Sequence, residues 1–228
     1  MHDKTAAFET DYEFLVARAD RPASRRYEAF GKRVLDLCVV VLAAPVVLTV
    51  LAIVWLVGRF NGGKVFFSQE RIGQGGKTFR CYKVRTMVKD ADRVLAELIE
   101  SDASVAAEWS KFQKLRNDPR ITRWGNFLRA TSIDELPQLL NVLRGEMSIV
   151  GPRPFMSSQM DLYRAGGGGR YFAMRPGLTG EWQVIGRGST SFVDRVRFDN
   201  RYYDRVSLLH DLRLIAGTFG ALLRRTGH

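Results

Sequence analysis

The sequence predicts a mixed α/β fold that is mainly helical, with an N-terminal membrane helix, a small β-hairpin and surrounding amphipathic helices. Three observations predict it. An apolar run near the N-terminus is long enough to enter a bilayer, two segments rich in β-formers follow it, and helical periodicity returns later. Hydrophobic residues make up 46% of the 228 residues and charged residues 26%, which excludes a disordered chain, a collagen and a multi-span membrane protein.

The charge of the chain is strongly basic. Lysine and arginine number 35 against 24 acidic residues, which gives a formal net charge of +11. Such a surface attracts polyanions: nucleic acid, anionic lipid or phosphorylated substrates. No helix-turn-helix, zinc-finger or RNA-recognition motif is evident, so we expect no nucleic-acid partner. The two cysteines and three histidines are scattered without metal-binding spacing, which argues against a zinc site.

Composition divides the chain into three stretches. Residues 1–30 begin with an acidic segment and are predicted to be a flexible tail. Residues 31–60 hold the apolar run, which has no charged side chain over residues 37–58. Residues 61–228 carry the remaining motifs and are predicted to form the globular domain, with some of its helices on the membrane surface.

The apolar run favours a re-entrant membrane helix, broken at Pro45, over a straight span. A proline inside a helix removes a backbone hydrogen bond and kinks the helix. Both flanks are basic, and the positive-inside rule keeps such flanks in the cytoplasm. A helix that bends at Pro45 meets both conditions, because it enters and leaves through one leaflet. A straight span and a buried core helix are the alternatives that the sequence leaves open.

Two strands are predicted after the membrane segment, at residues 65–69 and Thr78–Val84, joined by a glycine-rich turn. The turn string GQGGKT partly matches the phosphate-binding loop, which needs a glycine five residues before the glycine-lysine pair. Arg71 occupies that first position, so the string is interpreted as a turn.

Amphipathic helices are predicted at residues 88–115 and 207–225. The first is interpreted as a packing helix. The second has an apolar stripe that suits either the protein core or a membrane interface. The stripe consists of Leu208, Leu212, Ile215, Phe219 and Leu222. Residues 166–169 are all glycine and are predicted to form a loop.

Residues 116–154 concentrate the chemistry of the chain. They hold six arginines and no lysine. The planar guanidinium fork binds phosphate oxygens in pairs, which an ammonium group cannot do. This composition favours phosphate recognition over general solubility.

A pair of adjacent carboxylates, Asp134 and Glu135, lies in the middle of this block. Ser132 or Asp134 could cap a helix that starts here, and Ser132 with Glu135 matches a capping box. The same position also suits catalysis, because a helix N-terminus favours an ionised carboxylate. An ionised Asp134 could attack phosphorus, and Glu135 could hold Mg²⁺ together with phosphate oxygens.

Several strings between Lys32 and Leu223 closely resemble the monotopic phosphoglycosyl transferases, the bacterial sugar transferase superfamily. They include KRVLDL, VFFSQERIGQGGKTFRCYKVRTM, DPRITRWGNFLRATSIDELPQLLNVLRGEMSIVGPRP and RPGLTGEWQVIGR. The third string is the most specific. The size of the chain is similar to that of the members made of the catalytic domain alone, which start exopolysaccharide synthesis.

The resemblance implies a reaction and a location. The reaction is transfer of a sugar-1-phosphate from a UDP-sugar, UDP-galactose or UDP-glucose, to undecaprenyl phosphate, with release of UMP and a covalent phosphosugar-aspartyl intermediate. The cofactor implied is Mg²⁺. The location implied is monotopic, at the bacterial inner membrane, with the active site on its cytoplasmic face and anionic lipid as a partner.

The resemblance also assigns residues by motif. Asp134 matches the nucleophile and Glu135 the magnesium ligand, while Arg129 matches an arginine that contacts phosphate. The nucleotide-binding motif matches Pro152, Arg153 and Pro154. Further residues that match motifs lining the site are Lys83, Arg85 and Arg175.

The sequence departs from the family pattern at the break in the membrane segment. The family often has a Ser-Pro pair there, whereas this chain has Ala44 before Pro45. The alternative function is a non-catalytic membrane scaffold that recruits glycan-assembly proteins. Self-association and glycan-assembly partners are compatible with either function.

Overall fold

The computed structural model describes residues 26–60, 64–186 and 190–223. This part of the chain is mainly helical with two small sheets, which confirms the predicted class. The helices are α1 (Lys32–Phe60), α2 (Ala91–Ser101), α3 (Ala103–Phe112), α4 (Arg123–Ala130), α5 (Leu139–Arg144), α6 (Met160–Ala165), α7 (Arg195–Arg205) and α8 (Leu208–Leu223). The strands are β1 (Phe66–Ile72), β2 (Thr78–Val84), β3 (Ser148–Val150) and β4 (Gly177–Thr179). Most of the predicted tail, residues 1–25, lies outside the described residues.

The first sheet is the predicted hairpin. β1 and β2 are antiparallel, with Gln69 opposite Cys81. β1 continues to Ile72, three residues beyond its predicted end, and the turn uses Gly75 and Gly76 at positive φ. The second sheet, which the sequence did not predict, pairs β3 with β4 in parallel. Each of its strands has three residues, too few for a recognisable pattern.

Helix α1 continues through Pro45 without interruption. The break that the sequence predicts at Pro45 is therefore not seen in the secondary structure. A helix can include a proline at the cost of one backbone hydrogen bond, and the Thr49 hydroxyl donates to the Pro45 carbonyl at 2.9 Å. Residues 27–59 form a helix long and apolar enough to cross a membrane, yet only 11% of its most apolar window is buried. A core helix of a soluble protein does not fit such exposure.

One face of α1 packs along the globular part of the chain. Near its N-terminal end, Val40 joins the largest core cluster, which also holds residues of β2, β3, α7 and α8. Near its C-terminal end, Val54 packs with Val84 and Leu128. Both halves of α1 therefore contact the same globular body, and the opposite face is left apolar and exposed.

A buried polar cluster, here called the clamp, fastens the start of α1 to α8. It consists of Tyr27, Lys32, Tyr202 and Asp211. Lys32 Nζ lies 2.7 Å from Asp211 Oδ2 and donates to the Tyr202 hydroxyl at 2.8 Å. Both tyrosine hydroxyls donate to the Asp211 carboxylate, at 2.7 and 2.8 Å. Because every charged atom of the clamp has a partner, its burial is compensated.

The predicted helix at 88–115 is two helices. Asp102 interrupts it by capping α3, and its carboxylate accepts from Ser104 N at 2.8 Å and Val105 N at 3.3 Å. A carboxylate bound to these amides favours a new helix start over continuation.

The C-terminal helix α8 is partly core and partly exposed. Asp211 and Leu214 are buried, whereas Leu208, Leu212 and Phe219 of the predicted stripe are exposed. Leu222 lies among the side chains outside the described part of the chain. One face of α8 therefore packs on the core, and a membrane interface for its exposed apolar residues stays a prediction.

Candidate active site

The candidate site lies where one face of the hairpin meets the 3₁₀ segment Ile133–Gln138. Residues directly opposite each other on antiparallel strands share a face. Gln69 faces Cys81 and Arg71 faces Phe79, and Lys83 lies on that same face of β2. This face presents its polar side chains to the acidic pair of the 3₁₀ segment.

The acidic pair follows a sharp turn at Ser132. Ser132 adopts φ 55°, in the left-handed region, and its side chain makes no capping hydrogen bond. The helix cap and the capping box that the sequence allowed are therefore absent. Glu135 is drawn instead to charged partners, because an ion pair outweighs a neutral cap. The turn leaves Asp134 buried, at 7% exposure.

Glu135 is held by two cations. Lys83 Nζ lies 2.8 Å and Arg153 Nη2 2.7 Å from Glu135 Oε1, while Arg153 Nη1 is 3.5 Å from Oε2. Burial alone would raise the pKa of Glu135, but the charges of Arg153 and Lys83 hold it well below its usual range. Glu135 is therefore ionised, and its Oε2 is the less occupied oxygen.

Asp134 has the opposite electrostatic environment. Burial raises its pKa above the usual aspartate range, and the neighbouring Glu135 charge adds to the rise. Lys83, Arg129 and Arg153 act in the other direction and limit it. Two adjacent carboxylates with divergent pKa values are typical of groups with different chemical roles.

Arg129 projects from α4 toward Asp134, as the sequence predicts for a residue of the site. Its Nε donates to the Thr86 hydroxyl at 2.9 Å, and Thr86 is itself buried. α4 lies very close to this strand end, because a Cβ at Gly125 would come within 2.0 Å of the Thr86 carbonyl oxygen. Glycine at this position therefore permits the contact that orients Arg129.

The loop 152–154 enters the site from the end of β3. Gly177 N donates to the Pro152 carbonyl at 2.8 Å, so β4 holds the start of the loop. The Arg195 guanidinium donates to the Arg153 carbonyl, and it lies over the rings of Trp182 and Phe192. This buried arginine supports the loop whose own arginine pairs with Glu135.

Arg85 and Arg175 are near the site but do not line its cavity. Arg85 follows β2, where its backbone N–H donates to the Val65 carbonyl at 2.8 Å. Arg175 precedes β4, and its carbonyl oxygen lies against Gly151. The remaining predicted residues, with the exception of Pro45 on α1, come together at the acidic pair. The members of that group are Lys83, Arg129, Asp134, Glu135, Pro152, Arg153 and Pro154.

The cavity itself has a volume of about 20 Å³, room for about one water molecule. Its lining residues are Arg71, Cys81, Lys83, Glu135, Gln138, Arg153 and Pro154. A phosphate group is larger than this cavity, so its entry requires part of the ion-pair network around Glu135 to open.

Sequence reasoning missed five residues of the site: Arg71, Cys81, Thr86, Gln138 and Arg195. A signal existed for Arg71, because strand alternation places it on the same face as Cys81 and Lys83. Gln138 lies three residues after Glu135 in the same 3₁₀ segment, whereas Arg195 reaches the site through tertiary packing, which leaves no local pattern.

The acidic pair offers two carboxylates to a metal ion. The described residues contain no cluster of three or more His, Cys, Asp or Glu side chains suited to hold one. Mg²⁺ does not need such a cluster, because it commonly binds one or two carboxylates and takes its other ligands from water and substrate phosphates. The ionised Glu135, whose Oε2 is the less occupied oxygen, fits that requirement together with the adjacent Asp134.

An exposed apolar helix fastened to a globular body, with a carboxylate pair beneath several cations, suits a membrane-associated protein that handles phosphorylated ligands. The family model for bacterial sugar transferases matches residues 27–225. The chain belongs to the bacterial sugar transferase family.

Curated relatives agree with this assignment. The chain is 41% identical over 221 residues to a UDP-galactose-lipid carrier transferase of Erwinia amylovora, covering 97% of this chain and 46% of the relative. It is 43% identical over 209 residues to the exopolysaccharide production protein ExoY of Sinorhizobium fredii, covering 90% and 91%. It is 40% identical over 220 residues to a UDP-glucose:undecaprenyl-phosphate glucose-1-phosphate transferase of Caulobacter vibrioides, covering 92% and 76%. The chain thus spans about half the length of some relatives and most of the length of others.

Proposed function

We propose that this protein transfers a sugar-1-phosphate from a UDP-sugar to undecaprenyl phosphate, the first membrane step of exopolysaccharide synthesis. One observation carries the proposal: a buried carboxylate, Asp134, lies beside the ionised Glu135 and in the field of Lys83, Arg129 and Arg153. The names of the relatives support the reaction and name both galactose and glucose. We therefore propose galactose and glucose as the two candidate sugars.

The proposed chemistry has two displacements at one phosphorus atom. The Asp134 carboxylate attacks the phosphorus that carries the sugar, forming an acyl-phosphate bond while the bond to UMP breaks and its electron pair leaves with UMP. An oxygen of undecaprenyl phosphate then attacks the same phosphorus. The acyl-phosphate bond breaks, Asp134 returns to its carboxylate form, and the product is an undecaprenyl diphosphate sugar.

The cations of the site suit the charge that develops in both displacements. Arg129 is oriented by Thr86 and lies near Asp134, where it can contact the phosphoryl oxygens. Arg153 and Lys83 pair with Glu135 in the absence of substrate and can pass to phosphate oxygens when substrate enters. Glu135 then becomes available to Mg²⁺, which when bound would offset negative charge on the phosphates.

We propose that α1 is a re-entrant membrane segment with both ends on one side of the bilayer, although its backbone stays helical through Pro45. A straight helix of this length extends about 43 Å, far enough to separate its ends across a bilayer. Its N-terminal Lys32 is bound in the clamp, however, and its C-terminal Val54 packs on Leu128 of the same body. Basic residues flank both ends, which supports one cytoplasmic side for both.

The same argument supports the location and the division of the chain. Residues 31–60 form the membrane segment, and residues 61–228 form a catalytic domain at the cytoplasmic face of the bacterial inner membrane. A soluble donor and a lipid acceptor require an active site at this boundary, and basic surface residues each contribute roughly 1 kcal/mol toward anionic lipid.

The test is UMP release by detergent-purified protein with Mg²⁺, undecaprenyl phosphate and one UDP-sugar at a time. We expect UMP from UDP-galactose or UDP-glucose with the wild type and none with Asp134→Asn. Asp161→Asn, an exposed carboxylate in α6, is the matched control and should release UMP at the wild-type rate.

Turnover by Asp134→Asn at the wild-type rate would refute the role of Asp134 as the nucleophile. Folded wild-type protein that releases no nucleoside monophosphate from any donor would refute the reaction and favour the scaffold. Omission of Mg²⁺ with added chelator should abolish release, and full activity under that condition would refute the metal requirement.

A further inference from the structure

Arg71 is a cation of the cavity to which the proposed reaction assigns no role. It lies on β1, on the face of the hairpin that also presents Cys81 and Lys83, and it lines the cavity beside Glu135 and Arg153. Because it contacts the space that a phosphate would enter, its interactions decide whether it is structural or ligand-binding.

The charge of Arg71 is not balanced by the protein. Its Nη2 donates to Gln69 Oε1 at 2.6 Å, and Gln69 is held in turn by a 3.2 Å contact from its Nε2 to Met156 Sδ. Among the described residues, no carboxylate lies within ion-pair distance of Arg71. Burial lowers its pKa to about 10, and the charges of Arg153 and Arg195 act in the same direction.

The other cations in or near the cavity differ from Arg71 in this respect. Lys83 and Arg153 both pair with Glu135. Arg195 donates to the Arg153 carbonyl and lies near Asp199. A guanidinium carries five N–H donors, and one donor of Arg71 is accounted for by a neutral amide. A largely buried charge with donors to spare and a fixed orientation is arranged to receive an anion.

We propose that Arg71 binds the diphosphate of the nucleotide-sugar donor, with Gln69 as the residue that orients its guanidinium. The identity of the ligand rests on the proposed function, whereas the need for an anion rests on the cavity alone. The diphosphate brings negative charge to a cavity with an excess of cations. Its oxygens can accept two parallel hydrogen bonds from the planar guanidinium of Arg71.

The test measures binding by the full-length protein in detergent micelles, by calorimetry, with UDP and with inorganic pyrophosphate as probes. Arg71→Gln should weaken binding of both probes at least tenfold. Arg71→Lys should bind with intermediate affinity, because an ammonium keeps the charge but loses the fork. The matched control is Arg80→Gln, which removes an exposed arginine from the opposite face of the same hairpin and should bind both probes as the wild type does.

Ligand-free thermal melting distinguishes binding from folding. Since Arg71 is an uncompensated charge, Arg71→Gln should melt at or above the wild-type temperature while its binding falls. Binding within twofold of the wild type by folded Arg71→Gln would overturn the proposal. If Arg71→Gln does not fold, Arg71→Lys becomes the test variant. Wild-type affinity of Arg71→Lys for both probes would contradict a paired hydrogen bond from the Arg71 guanidinium.

The two proposals fail in different ways. If the wild-type protein binds pyrophosphate but not UDP, the proposal that the donor is a uridine nucleotide sugar is overturned. Loss of pyrophosphate binding in Arg71→Gln would still support an anion site at Arg71. Wild-type protein that binds neither probe would overturn the anion site itself.

Discussion

The clamp and the active-site region both bury charged side chains, and they differ in charge balance. In the clamp, Lys32 meets Asp211, and two tyrosine hydroxyls complete the hydrogen bonds. In the active-site region, cations outnumber carboxylates. The cations are Arg71, Lys83, Arg129 and Arg153, and the carboxylates are Asp134 and Glu135.

The balance of buried charge distinguishes a structural cluster from a ligand-binding one. A balanced, fully bonded cluster such as the clamp determines how two helices fit together, and it has no spare capacity for a ligand. An unbalanced cluster around a cavity is unfavourable until an anion enters. The clamp therefore serves architecture, whereas the excess of cations serves substrate binding.

The largest expected effect comes from breaking the clamp. Lys32→Met leaves Asp211 buried without its cation, and removal of one partner of a buried pair costs about 3–5 kcal/mol. Denaturant titration in detergent should show this loss in the free energy of unfolding. Lys77→Met, at an exposed lysine, is the control and should change little. An equal loss in both variants would show that the clamp does not stabilise the fold.

Removing the support of Arg129 is expected to affect catalysis more than folding. Thr86→Val deletes the hydroxyl that accepts from Arg129 Nε. A hydrogen bond to a charged group contributes about 1.5 kcal/mol or more, so kcat/KM in the UMP-release assay should fall roughly tenfold. Thr86→Ser keeps the hydroxyl and should recover most of the activity. If Ser and Val behave alike, the hydroxyl does not position Arg129.

The stability of Asp134→Asn should change in the opposite direction from that of Lys32→Met. Because burial raises the pKa of Asp134, its charge destabilises the folded protein at neutral pH. Asn should therefore raise the melting temperature at pH 7. The contribution of Asp134 to stability is fully present below its unfolded-state pKa and is lost as pH rises through the raised folded value. The gain from Asn should accordingly vanish near pH 4, and a lower melting temperature at pH 7 would contradict this sign.

The same raised pKa predicts the pH dependence of activity. The nucleophile must be ionised, so kcat/KM should fall on the acid side at a higher pH than an ordinary aspartate would give. Arg129→Gln removes a cation that favours the ionised form and should move this limb to still higher pH, whatever its effect on the maximal rate. A limb that stays in place would show that Arg129 does not act on Asp134.

The smallest expected effect is at an exposed ion pair. Arg93 and Glu97 pair on α2, with exposures of 68% and 58%. Exposed pairs at this spacing contribute about 0.3–0.5 kcal/mol. Arg93→Gln should thus leave both unfolding and UMP release near the wild-type values, and a larger loss in either would mean that exposed charge also contributes.

Much of the site was predictable because its residues lie in compact motifs. Asp134 and Glu135 are adjacent, and the arginines around them fall within one block that lacks lysine. The capping box that the sequence allowed between Ser132 and Glu135 is absent, because the partners of Glu135 come from β2 and the loop 152–154. Those partners are distant in sequence, so no local sequence pattern predicts them.

The fold was predictable to a similar extent. The apolar segment and the strand Thr78–Val84 follow from composition and periodicity, which act over a few neighbouring residues. The parallel pair β3–β4 was not predicted, because its hydrogen bonds join residues far apart in the chain. The division of the predicted helix at Asp102 arises because the Asp102 carboxylate accepts hydrogen bonds from backbone amides. Helical periodicity alone does not predict such a bond.

The family resemblance, the apolar helix and the acidic pair could all be predicted from the amino-acid sequence, because each depends on residues that are adjacent in the chain. Only the tertiary structure decided which charges are balanced. It brought Lys32 to Asp211, gave Glu135 two cations and left Arg71 with an amide for a partner. The physical reason is that charge compensation depends on distances of a few ångströms between residues separated by long stretches of chain.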